Sequence, residues 1–300
     1  MNNQNTKKIT SFGIIGLGLI GGSIAKALRN AFPVAHIEVA DIDSNAVNAA
    51  INDGVVSRAV DVQSLDFGEC DILFVCTPPH IACEDIKRID SSKFSIITDV
   101  ASVKSPIMKA ACDLTNFIGG HPMAGSEGAG YGSAEQDLFV NASWILTIPE
   151  NCVLSVEQCE TLVDVIKKLG ANPIYMDAEL HDKRVALISH LPHVAAFALS
   201  ELAASANDDA IKQLIGGGFR DTTRIAASSP SLWTDIFIES EALIPTLEKY
   251  VAILNEFLDL LNKEDKKTIN SHLTAASDFR RAIPDGLRAK NNLDTTGEKQ

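Results

Sequence analysis

The stretch from Phe12 to Ser23, FGIIGLGLIGGS, decides the fold of this chain. An apolar run leads into three glycines, Gly16, Gly18 and Gly21, and the helix-like segment IAKALRNAF follows them. Strand, tight glycine turn and helix in this order fit the pattern G-x-G-x-x-G. The first glycine makes the turn, the second lets the backbone approach a pyrophosphate, and the third allows close helix packing. The stretch therefore predicts a dinucleotide-binding α/β sheet.

Asp41 indicates which dinucleotide this turn binds. It ends the second predicted strand, His36 to Ala40, twenty residues after Gly21. An acid at this point can accept hydrogen bonds from the adenosine ribose, and it would repel a 2′-phosphate. We therefore expect NAD rather than NADP, although Asp43 is close enough to compete for the role. The other expected cofactor contacts are Leu17, Leu19, Ile20, Thr77, Pro78 and Ser102.

Apolar strands alternate with helices over the rest of the first half. Buried parallel strands read as unbroken apolar runs, and the sequence predicts a sheet of about seven or eight strands. Its later members are expected at residues 71–77, 95–100, 116–118, 144–149 and 172–177, with a helix over 156–170. Ligands bind at the carboxyl ends of such strands. At one of these ends we expect Ser105 to cap a helix, which leaves Ser102 and Lys104 as candidates for the site.

The glycine-rich stretch from Ile118 to Gly130, IGGHPMAGSEGAG, carries one histidine. Its glycines and proline predict a loop whose backbone can pass close to a ligand. This loop would bring His121 to the same edge of the sheet. A neutral histidine can accept the hydroxyl proton when an alcohol carbon gives a hydride to NAD. The stretch therefore predicts His121 as a catalytic base.

From Ala178 onward the sequence predicts helices. The segment from Leu180 to Ser205 is apolar on most faces, so it should be buried, and Pro192 should interrupt it. His190 and His193 could share a face, but no H-E-x-x-H motif or cysteine set accompanies them, so we expect no metal site. Further on, Arg224 offers a bidentate clamp for a carboxylate.

Length and composition suggest how the chain is organised. A chain of 300 residues is long enough for two domains. We predict a polar lead over residues 1–10, a dinucleotide-binding domain over 11–177, a helical substrate and dimerisation domain over 178–283, and a polar tail over 284–300. An apolar stripe along residues 241–261 indicates a core or a subunit interface. A homodimer is expected.

The charge balance argues against several partners. The 39 acidic residues outnumber the 26 Lys and Arg residues, and no dense basic run appears, so we expect neither nucleic acid nor an anionic membrane surface. No unbroken apolar run reaches roughly 18 residues, and the start, MNNQNTKKIT, lacks the apolar core of a signal peptide. The six cysteines form no C-x-x-C pair and are expected to be reduced thiols. These features predict a cytoplasmic protein.

Five motifs together resemble the prephenate and arogenate dehydrogenase family of tyrosine biosynthesis, over roughly residues 10–283. They are GLGLIGGS, DVASVKS, GGHPMAGSEGAG, HDKRVALISHLPH and GGGFRDTTRIAASSPSLWTDIF. The resemblance implies a Rossmann-type, mostly parallel sheet with a C-terminal all-helical domain. It also implies NAD-dependent oxidative decarboxylation of prephenate to 4-hydroxyphenylpyruvate, in which hydride leaves ring carbon C4 and aromatisation drives the loss of carbon dioxide. The motifs leave open whether prephenate or arogenate is preferred.

The resemblance also implies roles for individual residues. His121 matches the histidine that accepts the ring hydroxyl proton, and Ser102 matches a serine beside that hydroxyl and the nicotinamide. Arg224 matches the arginine that binds a substrate carboxylate. The remaining substrate-side matches are His193, Ser126 near the substrate side chain, and the acids Glu127 and Asp221, which would pair with the arginine and gate access. His181 and His190 also match, and we expect structural roles for them.

Two other classes of function share part of this pattern. A β-hydroxyacid dehydrogenase or a pyrroline-carboxylate reductase has the same plan of sheet plus helices, but the GGHP and SHLPH stretches argue against both. A dinucleotide-sensing protein with an inert site is disfavoured by the presence of His121, Ser102 and Arg224 together. We expect neither the chorismate mutase segment nor the ACT domain that some family members carry, so inhibition by tyrosine, if it occurs, would act at the active site itself.

Overall fold

An eight-stranded sheet occupies the first half of the chain in a computed structural model that describes residues 9–126 and 128–283. The strands are β1 Ser11–Ile15, β2 His36–Ala40, β3 Arg58–Val60, β4 Cys70–Val75, β5 Phe94–Asp99, β6 Phe117–Pro122, β7 Ser143–Thr147 and β8 Asn172–Tyr175. Their spatial order is β3-β2-β1-β4-β5-β6-β7-β8. The first six are parallel, β7 is antiparallel to β6, and β8 is parallel to β7. The order of the first six is that of a dinucleotide-binding fold, so the predicted fold class is confirmed.

Helices build a separate apolar core on each face of this sheet. They are α1 Leu19–Ala31, α2 Ser44–Asn52, α3 Pro79–Arg88, α4 Ser105–Ala110 and α5 Val156–Lys168. Strand β4 is buried at every position, and its residues alternate between the two cores: Ile72 and Phe74 lie in one, Leu73 and Val75 in the other. This is why its sequence is an unbroken apolar run.

The second half is helical, as predicted. Its helices are α6 Ala178–Val185, α7 Leu191–Ser205, α8 Asp209–Leu214, α9 Gly217–Thr223, α10 Pro230–Glu239, α11 Leu243–Asn262 and α12 Lys266–Ala282. A π-helical turn, Ala186–His190, joins α6 to α7 just before Pro192. Proline lacks the N–H that a continuous α-helix needs there, and the chain accommodates this by widening one turn rather than by breaking the helix.

By compactness the chain forms two units, one up to Leu243 and one from Ile244 onward. The first unit contains the sheet and the helices up to α10. The second contains α12 and all of α11 except its first residue, Leu243. The predicted functional boundary between residues 177 and 178 stays a prediction. Most of the predicted polar lead, residues 1–8, and the whole predicted tail, residues 284–300, lie outside the described residues.

One helical stretch within the described ranges, Ala178–Ser205, is long and apolar enough to cross a membrane by length and composition alone. The stretch is not an unbroken apolar run, because His190, Pro192 and His193 lie within it. About a quarter of the apolar window, 28%, is buried inside the protein. The expectation that the segment from Leu180 to Ser205 is buried is therefore wrong for most of its length, although His181 and Asp182 within it are buried.

The prediction that the stretch from Ile118 to Gly130 forms a loop is wrong for its beginning, because residues up to Pro122 belong to β6. Strand β7 provides the partner: His121 pairs with Ile145 in the antiparallel ladder. A Cβ at Gly120 would overlap the carbonyl oxygen of Asp99 on β5. At this position glycine is needed for close packing between strands rather than for approach to a ligand.

Candidate active site

The glycine turn between β1 and α1 has the geometry of a pyrophosphate cradle. Gly16 has φ +90°, and a Cβ there would lie 2.9 Å from the backbone of Cys76. A Cβ at Gly21 would overlap the carbonyl oxygen of Gly16, whereas a Cβ at Gly18 would meet nothing within 4 Å. Open space therefore lies beside Gly18, where α1 begins at Leu19 without a side-chain cap. Uncapped N–H groups at a helix N-terminus bind phosphate.

Asp41 and Asp43 have different tasks in the structure. Asp43 caps α2, because its carboxylate accepts hydrogen bonds from two N–H groups of the first helical turn. Asp41 follows the end of β2 and accepts a hydrogen bond from the N–H of Leu17 in the glycine turn. It also accepts one from the N–H of Asp43, at 2.7 Å. Of the two acids, Asp41 is therefore the one that lies against the nucleotide turn.

We expect Asp41→Ser to relax the preference for NAD over NADP by about 10-fold or more, equivalent to about 1.4 kcal/mol. The substitution removes the carboxylate that would repel the 2′-phosphate. The measurement is the ratio of kcat/KM values for the two cofactors. Asp43→Ser is the matched control and should leave that ratio unchanged. An unchanged ratio in Asp41→Ser would assign the selectivity to another residue.

The remaining expected cofactor contacts lie at the carboxyl ends of β4 and β5. Thr77 and Pro78 follow β4, and the Thr77 hydroxyl donates a 2.9 Å hydrogen bond to Asp85 of α3. In the loop after β5, the Ser102 hydroxyl is buried and has no hydrogen-bond partner. An unsatisfied buried hydroxyl is costly. A bound ligand with a polar group at this position would satisfy it.

Lys104 and Ser105 do not do what the sequence suggested. Lys104 is completely buried, and its ammonium group is bound by Asp99 and by the carbonyl oxygen of Gly120, so it does not face a ligand. Ser105 is the first residue of α4 rather than its cap. Asp182, which lies on α6, accepts hydrogen bonds from the backbone N–H groups of Lys104 and Ser105, at 2.7 and 2.8 Å. The start of α4 is therefore capped by Asp182, which is distant in sequence.

His121 is buried and belongs to a chain of hydrogen bonds. Its Nδ1 lies 2.8 Å from Nε2 of His181, and Nδ1 of His181 lies 2.8 Å from Oδ1 of Asp182. Burial opposes ionisation of Asp182, but hydrogen bonds from His181 and from two backbone N–H groups hold its pKa below its usual value. An ionised carboxylate only accepts, so His181 donates from Nδ1, and in the tautomer that carries its single proton there, Nε2 of His181 accepts. His121 must then donate from Nδ1, which leaves its Nε2 as a free base.

The surroundings of His121 keep this base neutral. Burial, together with the positive charges that His181, Lys104 and His190 can carry, lowers the pKa of His121 well below its usual 6.5. A neutral imidazole with an unprotonated Nε2 can accept a proton at cellular pH. Although several histidines approach one another here, no group of three or more His, Cys, Asp or Glu residues suits a metal ion within residues 9–126 and 128–283.

Two more histidines face Trp233 of α10. The His193 ring stacks on it, with ring centroids 3.4 Å apart and an interplanar angle of 20°, and its Nδ1 bonds to the carbonyl oxygen of Ser189. His190 contacts the edge of the same ring, and its Nδ1 lies 2.9 Å from the Ser240 hydroxyl. Burial lowers the pKa of His190 to about 4. Its Nε2 is buried and has no hydrogen-bond partner.

The other substrate-side residues predicted from sequence lie at the surface. Arg224 begins a short 3-10 helix, Arg224–Ala227, that packs against α7, the helix carrying His193. Asp221 on α9 is exposed. Ser126 is also exposed, and its hydroxyl accepts a 3.3 Å hydrogen bond from the N–H of Gly128. Glu127 lies outside the described residues.

Sequence reasoning missed several members of this site. It gave His181 a structural role and overlooked Asp182, Trp233 and Ser240. The adjacent His181 and Asp182 in the motif HDKR were a usable signal, because an acid beside a histidine often fixes the ring's tautomer. No local pattern showed that this pair reaches His121, sixty residues earlier in the chain.

Comparison with known proteins places these features in one family. The family model for the prephenate dehydrogenase nucleotide-binding domain matches residues 24–175, and that for the prephenate dehydrogenase dimerization domain matches residues 177–275. The chain is 34% identical over 285 residues to the prephenate dehydrogenase of Lactococcus lactis subsp. cremoris, an alignment that covers 90% of this chain and 76% of the relative. It is 31% identical over 290 residues to that of Bacillus subtilis, covering 93% and 77%.

A solved structure agrees with this assignment. The prephenate dehydrogenase from A. aeolicus, in complex with hydroxyphenyl propionate and NAD+, superposes with a TM-score of 0.84 at 28% identity. The match covers 92% of this chain and 99% of that one. The similarity thus extends through both the sheet and the helical half. The chain therefore belongs to the prephenate dehydrogenase family, as its five motifs predicted.

Proposed function

We propose that this chain is an NAD-dependent enzyme that oxidatively decarboxylates prephenate to 4-hydroxyphenylpyruvate, in tyrosine biosynthesis. The observation that carries the proposal is the buried base, His121, whose free Nε2 follows from its hydrogen bonds to His181 and Asp182. Membership of the prephenate dehydrogenase family supports the reaction class. The A. aeolicus family member was solved with NAD+ and a hydroxyphenyl carboxylic acid, which supports both the cofactor and the substrate class.

The glycine turn and its neighbours fit a bound NAD. The open space beside Gly18 would admit the pyrophosphate, and Asp41 would accept the adenosine ribose hydroxyls. The further proposed contacts are Gly16, Leu17, Leu19, Ile20, Gly21, Thr77, Pro78 and Ser102. When bound, NAD supplies the acceptor for a hydride.

The residues around His121 would handle the proton and the polar groups of the substrate. Nε2 of His121 takes the proton of the ring hydroxyl as ring carbon C4 loses its hydride and the C–O bond becomes a carbonyl. The buried Ser102 hydroxyl gains a partner in the same oxygen. The bond to the ring carboxylate then breaks, carbon dioxide leaves, and its bonding electron pair completes the aromatic ring. The former carbonyl oxygen takes back the proton held on Nε2 of His121 and becomes the phenol of the product.

The carboxylate of the substrate side chain requires a cationic partner. We assign this role to Arg224, whose planar guanidinium can bind a carboxylate through two parallel hydrogen bonds. His193 and Ser126 complete the substrate side, with Glu127 and Asp221 as acids that pair with the arginine and gate access. The stacking of His193 on Trp233 fixes the plane of its ring and supports this assignment.

Arg224→Ala is expected to raise KM for prephenate about 10- to 100-fold, with a smaller change in kcat, because the lost contact holds a part of the substrate that does not react. Steady-state kinetics at saturating NAD measure both constants. Arg220→Ala, an exposed arginine one helical turn earlier, is the control and should leave KM unchanged. A fall in kcat at constant KM would refute the proposed role of Arg224.

The helical half supports a homodimer. The dimerization-domain model matches residues 177–275 and meets the nucleotide-binding model close to the predicted boundary at 177 and 178. Exposed apolar side chains in this half include Leu187, Ile188, Leu199 and Leu202 and, on α11, Val251, Leu254, Leu258 and Leu261. We propose that a second copy covers them and that the dimer is cytoplasmic. A sedimentation mass of one 32.1 kDa chain would contradict the dimer.

NADH formation tests the proposed function. Prephenate, arogenate and 3-hydroxyisobutyrate are assayed in parallel, each with NAD and with NADP. We expect the highest kcat/KM with prephenate and NAD, together with 4-hydroxyphenylpyruvate as product. Turnover of arogenate in place of prephenate would show that the proposed reaction class is right and that the proposed substrate is wrong. Absence of turnover with both cyclohexadienyl substrates would overturn the proposal.

A further inference from the structure

A buried ion pair is hydrogen-bonded to the backbone of Gly120, the residue that precedes His121. Lys104 and Asp99 are both completely buried and bound to each other. The ammonium group of Lys104 also donates a 2.7 Å hydrogen bond to the carbonyl oxygen of Gly120. The other carboxylate oxygen of Asp99 accepts the N–H of Gly120 at 2.9 Å. Side chains of the pair therefore bind both backbone polar groups of the residue next to the base.

The ion pair supplies hydrogen bonds beyond the point where the β5–β6 ladder ends. Strands β5 and β6 are paired only at Ile97 with Phe117 and at Thr98 with Ile118. Beyond this point Gly120 is buried among the strands, and its N–H and carbonyl groups still need partners on the β5 side. The ion pair supplies them. Because His121 is the next residue, the position of its backbone depends on this contact.

The same pair also closes the loop that carries Ser102. Asp99 and Lys104 are the two ends of that loop, and the Asp99 carboxylate accepts the N–H of Ala101 inside it at 2.9 Å. The backbone N–H of Lys104 donates to Oδ1 of Asp182, the oxygen that also bonds to His181. Lys104 is thus the point at which the Ser102 loop, the peptide before His121 and the carboxylate behind His181 meet.

We propose that Lys104 and Asp99 are positioning residues for the proposed reaction, and that their ion pair holds His121 and Ser102 in register with each other. Neither side chain touches the substrate. The inference rests on the proposed function, because it concerns the alignment of the base and the serine hydroxyl. A purely structural ion pair can often be replaced by uncharged side chains without loss. One that sets the alignment of reacting groups cannot.

Two variants whose side chains match each other in length, each one atom shorter than lysine, separate these roles. Lys104→Met removes both the charge and the hydrogen-bond donor, whereas Lys104→Gln removes the charge and keeps an N–H donor for Gly120. We expect Lys104→Met to lower kcat about 100-fold, the effect of a misplacement of about 1 Å, with KM for NAD unchanged. Lys104→Gln should recover part of kcat. Leu162→Ala, a buried residue of α5, is the control for lost stability alone and should keep kcat once folded.

The pH dependence of kcat/KM reports whether the charge of Lys104 acts on the base, whereas kcat reports the alignment of the base. The charged and titratable groups facing His121 are His181 and Asp182 of α6, His190 of the π-turn, and the ion pair itself. Lys104 is among the groups whose charge lowers the pKa of His121. Both Lys104 variants should therefore move the acid limb of the profile to higher pH.

The outcomes are distinct. If Lys104→Met does not fold, Lys104→Gln carries the test, because its amide NH2 group can still donate to the buried Asp99 carboxylate or to Gly120. A folded Lys104→Met protein with wild-type kcat would overturn the positioning role while leaving the proposed function intact, whether or not its acid limb shifts. A wild-type protein without turnover of prephenate or arogenate would indicate failure of the proposed function itself, and the positioning role would fall with it.

Discussion

His121→Asn is expected to lower kcat for prephenate about 1,000-fold, because general base catalysis contributes about 100- to 10,000-fold. Asparagine can still donate a hydrogen bond toward His181 in place of Nδ1, so the neighbouring network should remain. What the variant lacks is the acceptor that Nε2 provides. The affinity for NAD should stay close to the wild-type value, because the glycine turn and Asp41 are untouched.

Steady-state NADH formation at saturating prephenate and NAD measures the loss in kcat, and quenching of tryptophan fluorescence by NAD measures the affinity. His36→Asn, at an exposed histidine on β2, is the control and should behave like wild type. A variant of His121 that kept its kcat and lost NAD affinity would show that the residue serves the cofactor and not the proton.

Asp182→Asn is expected to lower kcat about 100- to 10,000-fold through the tautomer of His121, two residues away in the hydrogen-bond chain. Asparagine has a single acceptor oxygen for three donors, the N–H groups of Lys104 and Ser105 and Nδ1 of His181, and where its NH2 group faces His181 it donates rather than accepts. His181 would then donate from Nε2, and His121 would have to accept at Nδ1 and carry its proton on Nε2. A histidine in that tautomer cannot accept the substrate proton.

The same substitution should also cost stability. The Asp182 carboxylate accepts the N–H groups of Lys104 and Ser105, and asparagine has one acceptor oxygen fewer. A lost buried hydrogen bond costs about 1–3 kcal/mol, which thermal unfolding would detect. Asp177→Asn, at the cap of the same helix α6, is the control and should retain kcat. A stable Asp182→Asn protein with wild-type kcat would remove the tautomer from the mechanism.

Local patterns were enough for the cofactor half of the site. The glycine turn, the acid after β2 and the Ser102 loop all lie within short segments whose structure depends on neighbouring residues. Patterns of this kind place strand, turn and helix in a set order, and so β1, β2, β4, β5 and β6 could be predicted, whereas the three-residue strand β3, Arg58–Val60, was missed. The parallel strands were recognisable because burial on both faces makes them continuously apolar.

The residues around the base depended on distant parts of the chain. His121 lies in a strand because β7 pairs with it from beyond residue 142. Lys104 resembled a site residue at the end of a strand, but Asp99 and Gly120 enclose it in the core. Asp182 caps a helix that begins 77 residues earlier in the chain. Such contacts leave no periodic or local signal in a single sequence.

The pH dependence of kcat/KM for prephenate tests most directly the central claim, that a neutral His121 held by His181 and Asp182 accepts the proton. The base works only when unprotonated, so activity is lost as the pH falls through its pKa in the folded protein. Because that pKa lies well below 6.5, kcat/KM should stay level as the pH falls from 8 through 6.5 and should decline only well below it. A half-maximal value at pH 6.5 or above in the wild-type enzyme would contradict the account.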